Sequence, residues 1–206
     1  MTEFAFRQLL KAPYRDVVER LDRVAAGESA ALEELLGSVR AALSDPALHH
    51  RNARSSQLRF WSDWLETALP AGSATALNLG EIAVATLCLP DFQFHPLAGE
   101  EPSPSLVVLG DSDGGLFGVL TERIPWFEAW LIEGLGQRQE RFGYGRNMFQ
   151  VSDQDAALLA SSLGLEAHCR GAPQPEYCRA TLAHLSTLLA TALSRPEWGI
   201  VVAEAG

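Results

Sequence analysis

The sequence predicts an α+β fold in which a helical N-terminal layer and further helices pack on a small, mainly antiparallel sheet. Three observations predict it. Apolar stripes at three- and four-residue spacing fill the first third of the chain. Short apolar runs bounded by glycine and proline begin only near residue 80. These runs do not alternate regularly with helical stripes, as a doubly wound parallel sheet would require. With 206 residues and 47% hydrophobic side chains, there is material for a real core. The expected organisation is a single domain over 1–206, helical to about residue 70 and mixed from about 75 onward.

Tyr14, Val17, Val18, Leu21, Val24 and Ala25 make the first helical stripe, and Gly27 stops it. Leu32, Leu35, Leu36, Val39 and Leu43 make the second, closed at Ser44-Asp45-Pro46 because the residue before proline is pushed out of helical geometry. A third, from about Ser55, carries Leu58, Trp61, Trp64, Leu65 and Ala68 before Pro70. Ile82 to Leu89 is then expected as a strand, since it is a compact apolar run with β-branched residues. The proline-rich stretch from Pro90 to Pro104 reads as an exposed loop. Leu106–Leu109 and Leu116–Leu120 read as two strands of a β-hairpin, with the glycine- and aspartate-rich residues 110–115 as its turn.

Pro125 suits the first position of a helix, whose apolar face is Phe127, Leu131 and Leu135 with Trp126 and Trp130. Residues 141–149 mix aromatics, glycines and arginines without a period. Ser152 with Asp155 is a capping pattern for a helix carrying Leu158, Leu159 and Leu163, ended by Gly164. A last helix from Glu176 carries Cys178, Leu182, Leu185, Leu189 and Leu193, and Gly199 to Ala203 reads as a final strand.

The net charge of −10 opposes general nucleic-acid affinity, because phosphate neutralisation needs clustered Lys and Arg. The charge suits a basic protein partner. No run approaches the roughly 18 apolar residues of a membrane helix, and Met1 to Lys11 does not read as a signal peptide. Three cysteines in no dense framework fit a reducing compartment, so a cytoplasmic location is expected. Lys11 is the sole lysine, and this Arg-, Ala- and Leu-rich composition suggests a GC-rich bacterial gene. Self-association is compatible with the sequence.

Cofactor and metal chemistry find little footing. The pairs Gly134/Gly136 and Gly143/Gly145 lack the third glycine of a dinucleotide loop, and no phosphate-binding lysine motif occurs. His168, Cys169, Cys178 and His184 have spacings unlike those of zinc sites. A disulfide between Cys169 and Cys178 is disfavoured in a reducing compartment. Asp111, Asp113 and Glu122 match part of a calcium loop, but Leu116 stands where its turn needs glycine. His49, His50, Arg51, Arg54 and Arg59 form a local basic patch, read as a solvated face.

Gly110-Asp111-Ser112-Asp113-Gly114 satisfies the G-x-S-x-G pattern and resembles the nucleophile elbow of α/β-hydrolases over about ten residues. The resemblance implies Ser112 as nucleophile, with Asp153 or Asp155 and then His184 completing a triad. A small serine hydrolase is therefore the alternative function. A small-molecule-binding domain with an aromatic-lined pocket is a third.

The leading expectation is a non-enzymatic interaction module of adaptor, chaperone or toxin-inhibitor type. Its expected partner-binding residues are Trp126, Trp130, Phe142, Tyr144, Arg146 and Phe149, because aromatic rings and arginine concentrate binding energy. No catalytic, cofactor or metal residues are expected in this reading. The expected hairpin followed by Pro125-Trp126-Phe127 faintly resembles, over about thirty residues, the hairpin-plus-helix region of SUKH-type bacterial toxin-immunity proteins. The first half carries no matching motif.

Overall fold

The structure, a computed structural model, describes residues 3–46, 55–67, 79–90, 106–110, 116–142, 148–168 and 176–205. In chain order these form β1 (Glu3–Leu10), α1 (Lys11–Ala25), α2 (Ser29–Leu43), α3 (Ser55–Thr67), α4 (Leu79–Cys88), β2 (Leu106–Gly110), α5 (Leu116–Arg123), α6 (Phe127–Phe142), β3 (Met148–Gln150), α7 (Asp153–His168), α8 (Glu176–Ser194) and β4 (Trp198–Ala205). The architecture is α+β, as the sequence predicts. The chain divides into two compact units, one of Met1–Leu9, Phe94–Arg138 and Asn147–Gly206, the other of Leu10–Gln93 and Gln139–Arg146.

The second unit is helical. Tyr14, Val17 and Leu21 of α1 are buried, as are Leu35, Leu36 and Val39 of α2. These are the expected stripes, and α1, α2 and α4 pack on one another. Gly27 ends α1 at φ +89, a conformation only glycine adopts cheaply, and its N–H donates to the Val24 carbonyl at 2.9 Å. Arg20 ties the two helices, donating to Ser38 Oγ at 2.9 Å while pairing with Asp16 at 2.9 Å.

The expected strand Ile82–Leu89 is instead part of α4. Eight of the ten residues of α4 are buried, including Ile82, Val84 and Cys88. A helix surrounded by protein needs no polar side, and a short apolar run without a polar period cannot be told from a buried strand.

The first unit holds a four-stranded sheet in the order β2-β1-β4-β3. β1 and β2 run antiparallel from Glu3↔Gly110 to Arg7↔Leu106, and β3 and β4 run antiparallel from Met148↔Ala203 to Gln150↔Val201. Alternate residues Phe4, Phe6, Val107, Leu109, Ile200 and Val202 share one core with α5, α6, α7 and α8. Ala5, Arg7, Leu9, Val201 and Ala203, of opposite parity, are buried as well. With both faces covered, β1 shows no apolar–polar alternation and leaves no period-two pattern to mark it as a strand.

A second correction concerns Leu116–Leu120. This run is the start of α5, so no hairpin joins it to β2, and residues 111–115 lead from a strand to a helix. The strand–turn–strand that carried the SUKH-type likeness is therefore absent. The expected turn at 111–115 and the expected loop at 91–104 lie outside the described residues. The capping expectation holds: the Asp155 N–H donates to Ser152 Oγ at 3.0 Å, and the Ser152 hydroxyl donates to the Asp155 carboxylate at 2.7 Å.

Candidate functional site

The turn before α6 is built by backbone bonds. The Ile124 N–H donates to the Leu120 carbonyl at 2.8 Å, and the Phe127 N–H to the Ile124 carbonyl at 2.9 Å. Pro125, which has no N–H to offer, sits exposed between them. The Trp130 N–H then donates to the Trp126 carbonyl at 3.0 Å, so Trp126 leads directly into the first turn of α6.

Phe127, Leu131 and Leu135 point α6 into the core. Trp126 and Trp130, four residues apart, stand together on its flank and are only partly buried. Their rings meet edge to face, with centroids 5.9 Å apart and planes at 83°. Trp130 is fixed from beneath, by Phe149 at 5.2 Å and 82° and by Phe127 at 5.9 Å and 30°. Both distances lie within the range of favourable aromatic pairs, each worth about 0.5–1.5 kcal/mol beyond area burial. Gly134 lies one turn beyond Trp130, where an added Cβ would stand 2.7 Å from the Phe149 ring. Glycine is what allows helix and ring to meet. The result is a cluster of aromatic rings in mutual contact along one flank of α6.

The outer side of α6 is wet. Glu128, Ala129 and Glu133 are exposed, and Ile132 is 62% exposed. The structure thus brings together three of the residues expected to bind a partner, Trp126, Trp130 and Phe149. Phe149, at 7% exposure, packs against the Trp130 ring. Phe142 ends α6, while its side chain, Tyr144 and Arg146 lie outside the described residues. Sequence reasoning missed Ile132. The available signal was an aliphatic residue falling off the Phe127–Leu131–Leu135 stripe.

Ser112 also lies outside the described residues, but its flanks do not. β2 ends at Gly110 as an edge strand, α5 begins at Leu116, and α8 packs on both. α8 carries His184, which is half-buried. Asp153 and Asp155 open α7, and Asp155 is engaged in the cap described above.

Cys88 is buried in α4, and burial, with the Asp16 carboxylate adding to it, pushes its thiol up to about 12. Such a thiol holds almost no thiolate at neutral pH and is no nucleophile. Trp61 is core, Trp64 and Trp198 are half-buried, and Phe60 is exposed. Among the described residues, no group of three or more His, Cys, Asp or Glu is placed to hold a metal ion. No described helix is long and apolar enough to cross a membrane. Compared with known proteins, the chain matches no family model, no curated relative and no solved structure.

Proposed function

We propose that this protein works by binding another protein, as an adaptor, chaperone or toxin inhibitor in a bacterial cytoplasm, and that the partner seats on α6. The observation that carries this reading is the partly exposed indole pair Trp126–Trp130, packed against Phe127 and Phe149 on a helix whose outer side also exposes Ile132. Tryptophan anchors dominate interfaces because they cover large areas with little side-chain entropy to lose. A ring already fixed by its neighbours loses still less on binding.

Tagged full-length chain purified from its native host tests the reading. A stoichiometric partner is expected with the wild type and is lost on Trp126→Ala, at a cost of about 2 kcal/mol or more of binding energy. Ile132→Ser serves as a second variant, since an exposed position leaves folding intact. Wild-type protein that remains alone, or a partner retained by both variants, contradicts it.

One observation favours a second reading, a small serine hydrolase using Ser112: residues 111–115 connect a strand to a helix, the setting in which G-x-S-x-G exposes a nucleophile. The edge position of β2 in a sheet with antiparallel outer pairs differs from the central parallel strand of α/β-hydrolases. A fluorophosphonate probe decides it. Labelling abolished by Ser112→Ala supports the hydrolase, and folded protein that takes no label removes it.

A further inference from the structure

We draw no further inference here: the strongest candidate, the surface patch on α6 where Trp126 and Trp130 are partly exposed, belongs to the site already described, and nothing in the structure shows what covers it.

Discussion

α4 and α6 both look apolar in the sequence, yet they meet opposite surroundings. In α4 the polar side is missing because the helix has no wet side; Leu79, Ile82, Ala83, Val84, Ala85 and Cys88 are all buried. α6 buries one face and leaves Ile132 and two glutamates in solvent beside partly covered indoles. An apolar residue in α4 is explained by folding alone. Ile132 and the open sides of Trp126 and Trp130 add little to the core. The contrast separates residues that hold the protein together from apolar surface left in solvent.

Substitutions can break or sharpen that contrast. The largest effect belongs to α4: Ile82→Ala leaves a cavity at a position 1% exposed, and should destabilise by about 2–5 kcal/mol in urea unfolding. A loss below about 1 kcal/mol would contradict the buried setting of α4.

Gly134→Ala comes next, because its Cβ would stand 2.7 Å from Phe149 and the ring must shift. A loss of about 1–3 kcal/mol is expected. It should come with altered tryptophan fluorescence, as Trp130 leans on the same ring. Unchanged stability and spectrum would mean that the aromatic cluster is looser than described.

Cys88 gives a smaller, pH-dependent effect. Its folded thiol titrates near 12 against an ordinary 9.0, so burial favours the neutral form. The stabilisation is complete below about pH 9 and is lost as pH rises toward 12. Cys88→Ala should remove this contribution, about 1 kcal/mol at pH 10, from the difference between unfolding curves at pH 8 and pH 10. A Cys88 that reacts with a thiol reagent in native protein at pH 7 as fast as in urea would contradict its burial.

The smallest stability effect is that of Ile132→Ser, within about 0.5 kcal/mol of wild type. Its expected consequence is confined to binding. A large drop in melting temperature would instead make Ile132 part of the core.

Much of the fold was legible for physical reasons. α1, α2 and α8 each have one wet side, so their stripes show in the sequence, and Ser152 and Asp155 announce α7 because capping demands those side chains at that spacing. β1, α4 and α5 were hidden differently. β1 is covered on both faces, and Arg7 in its middle is fully buried against expectation for a charged residue. α4 has almost no polar residue to mark a period. In α5, the glycines and aspartates before Leu116 favour a bend, but such a bend serves a strand-to-helix connection as well as a hairpin. The indole pair was readable from its four-residue spacing. Phe149 looked available to a partner because β3, only Met148–Gln150, is too short to display alternation. Ile132 was concealed by its neighbour Leu131, which is buried.

Site-specific photo-crosslinking tests the central claim most directly. A benzophenone side chain replaces Ala129 on the exposed side of α6 in one protein and Arg15 on the exposed side of α1 in another, each irradiated in living native-host cells. The account predicts one discrete adduct from position 129 and none from position 15. The same adduct from both positions, or none from 129 in a folded protein, would contradict it.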